Sequence, residues 1–547
     1  MSDAATAPTA AATFDLDALA DAPRIVNGEI RGVSPIDLHE LQPVPVTPVA
    51  QIAAVVETAR KAQPEWERLG FAERARLMKQ MGKRMLERRA EILEIMREEA
   101  GKLGIEGLMS EALGPLDFVK GWIKLAKPVL TKREKLGIPK LAFPGKSAYI
   151  ERVPRGVVGI ITPWNYPLGV FFKPVMPALL SGNAVVVKPS EYTPRAGAWF
   201  VEQAQAVLPA GVIQLVQGGG EQGAELIEHV DAATFTGSVA TGKKIGARCG
   251  ERLIPVSLEL GGKDAAIVLE DAEVTRTAAG ITNWALHNVG QNCGAIERLY
   301  VLDAKADEFV ALLKDAWSRL RVGPDGPGKP LTACDVSPLC NAMQLRIVEE
   351  HIADALEKGA TLLTGGTREG MQGLAYPPTL LDHCTHEMRI MKEETFGPVL
   401  PIVRVADVDE AVRLANDSSY GLNASVWSGD ITRGEAVAKR LEAGTVYVNN
   451  HAISGALAPC PWTGVKDSGP GVANSKYALE TFTRLRTVFR DKNKKPDPFW
   501  YPYDEDLQKM GESIAEIQLG KLGKALGAAK ALSRPKAITA FFRRKDS

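Results

Sequence analysis

Between Val49 and Lys102 apolar side chains return at i, i+3, i+4 and i+7 among charges, in "AAVVETARKAQPEWERL" and "ERARLMKQMGKRMLERRAEILEIMREEAGK". That period draws one apolar stripe along each turn-rich segment and predicts a charged helical region. The texture then changes. Short β-branched runs ending in Gly, Pro or Ser follow: "GVVGIITP" (156–163), "NAVVVKPS" (183–190), "GVIQLVQGGG" (211–220) and "AATFTGS" (232–238). Helix-length segments separate them, and strands alternating with helices predict a parallel, doubly wound sheet. A second set predicts a second α/β lobe, joined to the first near Gly261-Gly262: "DAAIVLE" (264–270), "RLYVLD" (298–303), "PVLPIVRV" (398–405), "NASVWS" (423–428) and "GTVYVN" (444–449). Farther on, "ETFTRLRTVFR" (480–490) alternates as a strand with no helix after it. It reads as an edge strand that pairs with another element or another subunit.

Composition narrows the class. A chain of 547 residues is long enough for two large domains, and 66 Lys plus Arg balance 66 Asp plus Glu. No global field steers it toward nucleic acid, so none is expected as a partner. Six cysteines show no CxxC pair, which suits free thiols in a reducing compartment. The N-terminus has no positive charge before Arg24 and no uninterrupted apolar core, unlike a signal or transit peptide. No stretch approaches the ~20 apolar residues of a membrane span, and the expected place is the cytoplasm. The tail over 507–547 carries nine basic residues against three acidic, a net +6, with Ile514, Ile517, Leu522, Leu526 and Leu532 in a loose stripe. It reads either as a helix docked on its own protein or as a weak membrane-surface helix.

Five stretches are candidates for chemistry. Gly218-Gly219-Gly220-Glu221-Gln222-Gly223 matches GxGxxG after a strand, but the next strand ends in Thr-Gly-Ser without the acidic residue the dinucleotide fingerprint expects. Lys188 and Glu191 emerge at the C-terminal edge of "VVVKPSE", where open α/β sheets bind ligands, and can reach ribose hydroxyls. "TFTGSVATGKKIG" runs from strand through Gly237-Ser238 into a helix whose free N–H groups suit a dinucleotide phosphate. Cys293 lies in "NVGQNCGAIER" between Gly290 and Gly294, either as an inert core thiol or as a nucleophile. His383-Cys384-Thr385-His386 has no second ligand cluster at a metal-binding spacing, so no metal is expected. Cys249, Cys334, Cys340, Cys384 and Cys460 read as structural.

Taken in order, "TPWNYP" (162–167), "KPSE" (188–191), "FTGS" (235–238), "LELGGK" (258–263), "GQNC" (290–293) and "EETFGPV" (393–399) resemble the aldehyde dehydrogenase superfamily over roughly residues 45–490. The spacing in "WNYPLGVFFKP" is closer to the fatty-aldehyde and class 3-like branches. "PWTGVKDSG" (461–469) departs from the family's usual Phe-Gly-Gly. The resemblance implies an α/β fold with a Rossmann-like cofactor domain (23–140 and 153–261) and a catalytic domain (262–450). It also implies oligomerisation strands (141–152 and 480–492), flanked by a leader (1–22) and a C-terminal extension (493–547) with a basic amphipathic tail.

The implied reaction is oxidation of an aldehyde to the acid with NAD, with NADP also used in related branches. Cys293 is the implied nucleophile, its few per cent of thiolate at pH 7 being strongly reactive. Small Gly290 and Gly294 let substrate and nicotinamide approach it. Glu259 ends an apolar strand, where partial dryness raises its pKa toward the value a base needs. The family assigns it the water that hydrolyses the thioester. Asn165 is the implied oxyanion donor, beside the Cys293 N–H. Ile161, Thr162, Pro163, Trp164, Asn165, Lys188, Ser190, Glu191, Gly220, Gly237, Ser238, Leu260, Gly261, Glu394 and Phe396 are the implied cofactor contacts. The expected partners are a small aldehyde and further copies of the chain, as a homodimer or homotetramer. Tyr166, Leu168, Phe171, Phe172 and Trp462 suggest apolar substrate walls, leaning toward aliphatic or aromatic aldehydes. Two other readings remain: acyl transfer from the thioester to coenzyme A, whose relatives usually lack the glutamate at 259, and a non-catalytic, membrane-docking relative.

Overall fold

The computed structural model describes residues 23–140, 143–326, 328–520 and 534–543. The leader 1–22 and, from the tail stripe, Leu522, Leu526 and Leu532 lie outside the described residues.

Helices Val49–Arg68, Gly70–Glu87 and Arg89–Ala100 form where the apolar period was read. They bury Ile52, Val56, Trp66, Met78, Met81, Ile92 and Met96. Gly101, at φ 66°, ends the third helix in the left-handed region that glycine enters without a Cβ clash. A π-helix, Gly107–Leu113, leads into helix Gly114–Thr131.

Two parallel sheets make the α/β fold expected from the sequence. The first orders its strands Val256–Glu259, Ala232–Thr236, Val157–Ile161, Ala184–Lys188, Ile213–Leu215. Its centre is fully buried on both faces, which is why these strands read as continuous apolar runs rather than alternations. The second has seven strands, with Ile296–Leu302 and Asp264–Val268 near its middle. Its Thr361–Thr364 edge is antiparallel to Thr379–Asp382. Neither of these two strands was expected, because four residues with a single Leu-Leu pair show no period. Both sheets belong to one compact unit, residues 1–131 and 152–484. Cores of aliphatic side chains cover them, with Trp427 in the second sheet's core and Trp66 and Trp122 in the first's.

A second unit, residues 132–151 and 485–547, carries most of a three-stranded sheet ordered Thr483–Asp491, Lys146–Pro154, Glu134–Leu136. Thr483–Asp491 is an edge strand, preceded by a helical turn, Leu479–Phe482, where the sequence suggested continuous strand. Leu485 and Phe489 are exposed on it. Within this unit Arg486 pairs with Glu151, and Lys146 with Asp497 at 2.7 Å and with Asp491.

Candidate active site

Cys293 is placed by strained backbone. After helix Val274–Leu286 the chain turns through Asn288, Val289 and Gly290 at φ 57°, 54° and 75°. A β-branched Val in the left-handed region costs on the order of 1–3 kcal/mol, so the surroundings must impose it. Asn288 does so from both ends. Its N–H donates to Glu106 Oε1 at 2.8 Å, and its Nδ2 donates to Asn165 O at 3.0 Å and Gln291 O at 2.9 Å. The flanking glycines are required by chain packing rather than by ligand approach. A Cβ at Gly290 would stand 2.2 Å from Gly397 O, and one at Gly294 would stand 2.7 Å from the Trp462 ring.

Asn165 follows the first sheet's Val157–Ile161 strand, and its Nδ2 donates to Gln291 O at 3.1 Å. The turn that carries it is fastened from below by a buried ion pair, Lys102 Nζ to Glu111 Oε1 at 2.9 Å. Lys102 also donates to Asn165 O at 3.0 Å, and Glu111 accepts from the N–H groups of Leu168 and Gly169 at 3.0 and 2.6 Å. Taking two charges out of water is costly, and these backbone hydrogen bonds offset part of that cost.

Glu259 ends the Val256–Glu259 strand. Its Oε1 accepts from Ala473 N–H at 3.0 Å, and its Oε2 is buried with no hydrogen-bond partner among the described residues. Burial pushes its carboxyl up to about 8, against the pull of Lys173 and the Ala473 N–H. Cys293 and Glu259 line one cleft together with Lys173, Phe235, Trp462, Ala473 and Phe482. Lys173 Nζ stands 4.8 Å above the Trp462 ring, a cation on an aromatic face.

Loss of water around Cys293 pushes its thiol up to about 12; Lys173 draws it back, while Asp264, Glu259 and Glu394 add to the rise. Burial thus favours the protonated thiol over the thiolate at this position. Of the five residues expected as substrate walls, only Trp462 lines the cavity. Leu168, Phe171 and Phe172 are core, the two rings packing on Phe200 at 5.1 and 5.3 Å. Tyr166 instead bonds His287 Nδ1 at 2.7 Å beneath Lys102.

The residues expected for the dinucleotide meet along the strand ends of the first sheet. Ile161 pairs in register with Lys188, and Thr162 N–H donates to Lys188 O at 3.1 Å. The Lys188 ammonium is spent on backbone, at 2.9 Å from Pro189 O and 2.6 Å from Gly218 O, with Glu191 3.8 Å away. It pins the glycine turn instead of standing free for a ribose. Glu191 keeps its carboxylate half-exposed, 3.9 Å from where a Gly219 Cβ would stand. Helix Gly220–His229 opens on free space, since a Cβ on Gly220 would meet nothing within 4 Å. Ser238 caps helix Val239–Glu251, its Oγ accepting from Thr241 N–H, and Gly237 N–H donates to Glu259 O at 3.1 Å. A carboxylate for ribose hydroxyls, and open glycine-rich helix starts for phosphate, fit an NAD(P) dinucleotide.

On the second sheet, Glu394 Oε1 accepts from Gly262 N–H at 2.9 Å, and burial pushes its carboxyl up to about 8. Phe396 meets Trp164 edge-on at 5.4 Å. A buried pair of the motif residue Lys263 with Glu297, which no motif covers, at 2.6 Å, sets that loop. Glu297 accepts from Thr395 and Phe396 N–H groups at 2.7 and 2.8 Å. The signal available for it was the charge of Glu297 inside a buried strand, because a buried charge needs a partner. The divergent "PWTGVKDSG" loop also has work. Ser468 O accepts from Leu260 N–H at 3.1 Å and Ser468 Oγ donates to Gly261 O at 2.7 Å, fixing the turn after Glu259. Pro163 and Ser190 lie at the same strand ends.

The His383–His386 stretch is occupied otherwise: Cys384 is buried, and His386 bonds Tyr300 and Asp417. Among the described residues no group of three or more His, Cys, Asp and Glu side chains is placed to hold a metal.

The model of the aldehyde dehydrogenase family matches residues 25–488. The chain is 38% identical over 477 residues to 4,4'-diapolycopene aldehyde oxidase of Methylomonas sp, covering 87% of this chain and 88% of that one. In structure it is similar to Mycobacterium tuberculosis aldehyde dehydrogenase complexed with NAD+, at TM-score 0.79 and 33% identity, over 85% of this chain and 95% of that one. It is equally similar, at TM-score 0.79 and 36% identity, to NADP-dependent glyceraldehyde-3-phosphate dehydrogenase from Bacillus halodurans complexed with NADP, over 85% and 96% of the two chains. This chain belongs to the aldehyde dehydrogenase family. It is an oxidoreductase that oxidises an aldehyde with NAD(P)+.

Proposed function

We propose that the chain converts an apolar aldehyde to the free carboxylic acid, with Cys293 as nucleophile, Glu259 as base for the deacylating water and Asn165 as a donor to the oxyanion. The observation that carries this is the convergence of Cys293, Glu259 and Lys173 on one largely apolar cavity. Cys293 Sγ bonds to the carbonyl carbon, its proton leaves to a base, and the carbonyl π pair moves onto oxygen. An amide N–H aimed at that oxygen is typically worth ~10²–10³ in rate. Bound NAD(P), held by the Glu191, Gly220, Ser238 and Glu394 groups, supplies the hydride acceptor. The acyl group is left as a thioester on Cys293. Water then attacks that thioester, Glu259 takes the water's proton, and the S–C bond breaks to return the sulfur.

The glutamate at 259 supports hydrolysis over transfer to coenzyme A. NADH formation from a soluble apolar aldehyde should need no coenzyme A; a strict requirement for it would reverse the assignment. The apolar substrate class rests on the Phe235, Trp462 and Phe482 walls. We read the working form as a cytoplasmic homo-oligomer built through the exposed Thr483–Asp491 edge, with the C-terminal extension against a lipid surface.

Two outcomes follow for this site. The half-exposed Glu191 carboxylate repels a 2′-phosphate, so kcat/KM is expected to be higher for NAD than for NADP, and Glu191→Gln should narrow the ratio. A wild-type preference for NADP would overturn that role. The second concerns pH. Glu259 acts as a base only when deprotonated, and its folded pKa is raised to about 8, so steady turnover should rise with pH through about 8. Lys173 pulls the carboxyl down, so Lys173→Met should move that rising limb up by roughly one unit, as loss of a nearby opposite charge does. An unmoved limb would remove Lys173 from the proton balance.

A further inference from the structure

We infer that an aromatic loop and a short basic helix in the C-terminal unit form a docking surface for an anionic lipid bilayer. This rests on the lipid-surface reading of the C-terminal extension and is independent of the chemistry at Cys293. The loop is "PFWYPY", Pro498–Tyr503, and the helix is Arg534–Arg543.

One buried residue joins the two. Arg534, the first residue of the helix, pairs with Asp504 at 2.9 Å. Its guanidinium donates to the carbonyls of Trp500 at 3.4 Å and Pro502 at 2.6 Å, and to that of Pro498. With those carbonyls gathered on a single cation, the aromatic side chains of the loop are left pointing outward. Trp500 is 56% exposed, Tyr501 66% and Tyr503 64%, and the two tyrosine rings stack at 4.3 Å. Phe499 is exposed beside them.

The helix repeats the pattern. Arg534 and Ile538, one turn apart, are its buried positions, and Phe541 and Phe542 at its end are 55% and 70% exposed. Exposing six such rings to water has no use for a lone chain, because exposed apolar patches of this kind mark an interaction site or an aggregation hazard.

Charge selects the occupant. The extension 493–547 holds eleven basic residues against seven acidic, a net +4 in a chain whose total is zero. The helix itself carries Arg534, Lys536 and Arg543 with no acid, and Arg544 and Lys545 follow Arg543 directly in sequence. Three of the seven acids are already paired, Asp497 with Lys146, Asp504 with Arg534 and Glu505 with Lys509. Trp and Tyr rings lie at headgroup depth in a bilayer, and lysines and arginines beside them favour anionic lipids. Among the described residues no helix is long and apolar enough to cross a membrane, so contact would be at the surface.

The test is flotation of the full-length protein with vesicles of phosphatidylcholine alone and with vesicles half phosphatidylglycerol, at low salt. The expected result is binding to the anionic vesicles that weakens steeply in 0.5 M salt. Trp500→Ser with Tyr501→Ser, and separately Lys536→Glu with Arg543→Glu, should each lower the bound fraction at least roughly tenfold. Melting temperature, oligomeric state by sedimentation and turnover of a short soluble aldehyde should stay as in the wild type. Equal flotation of wild type and both variants would overturn the inference, as would binding to neither vesicle. So would a loss of oligomers in the aromatic variant, which would mean that a second copy of the chain covers the patch. Loss of soluble-aldehyde turnover in the wild type would instead strike the proposed activity and leave this surface untouched.

Discussion

Cys293→Ala is expected to lose aldehyde oxidation by roughly 10⁴-fold or more while still binding NAD(P). Removal of a covalent nucleophile leaves only positioning and oxyanion stabilisation behind. The dinucleotide groups at Glu191, Gly220 and Ser238 belong to other strand ends and do not depend on the thiol. Fold stability should change little, because Cys293 is only partly buried and its one hydrogen bond is a long contact of 3.9 Å to Asn292 Oδ1. Cys293→Ser is the sharper variant. It keeps shape and a donor, yet an alcohol is far harder to ionise than a thiol, and this site already raises the thiol to about 12. Near-normal kcat in either variant, measured by NADH absorbance, would falsify the assignment of the nucleophile.

Glu259→Gln should separate the two halves of the reaction. Gln keeps the length and an oxygen for the Ala473 N–H, so the strand end and the cavity are retained. It cannot accept a proton from water. On rapid mixing, one equivalent of NADH per active site is expected as a burst, followed by steady turnover lowered roughly 10²–10⁴-fold. The pH rise through about 8 should vanish with it. Unchanged steady turnover would assign the base elsewhere, and absence of the burst would place Glu259 in the first step as well.

The α/β class was legible because the buried central strands, such as Val157–Ile161 and Ala184–Lys188, are written as unbroken β-branched runs. What escaped was short or exposed. Arg24–Val26 is exposed at every position and shows no face, and Thr361–Thr364 is four residues at an edge.

At the site, motif residues announced themselves by unusual composition, a lone Cys between glycines or a Glu closing an apolar strand. Lys173 did not. It sits in the apolar helix Gly169–Leu180, where a single lysine reads as a solvated position, and only tertiary packing carries it over Trp462. Phe171 and Phe172, in the same helix, read as substrate walls from sequence because aromatics close to a motif look functional; the helical period turns them onto Phe200. The left-handed Val289 had no signal, since two of the three Asn288 contacts that impose it, with Glu106 and Asn165, come from residues more than a hundred positions away. The buried Lys102–Glu111 pair is local in sequence, but charged side chains in that stretch read as solvated.

The most direct measurement is intact-protein and peptide mass spectrometry of Glu259→Gln, quenched in acid seconds after mixing with NAD+ and a short apolar aldehyde. The expected result is a mass gain of one acyl group per chain, mapped to the peptide containing Cys293 and removed by hydroxylamine. An enzyme that forms NADH with no acyl adduct, or with the adduct on Cys249, Cys334, Cys340, Cys384 or Cys460, would contradict a thioester on Cys293 resolved by Glu259.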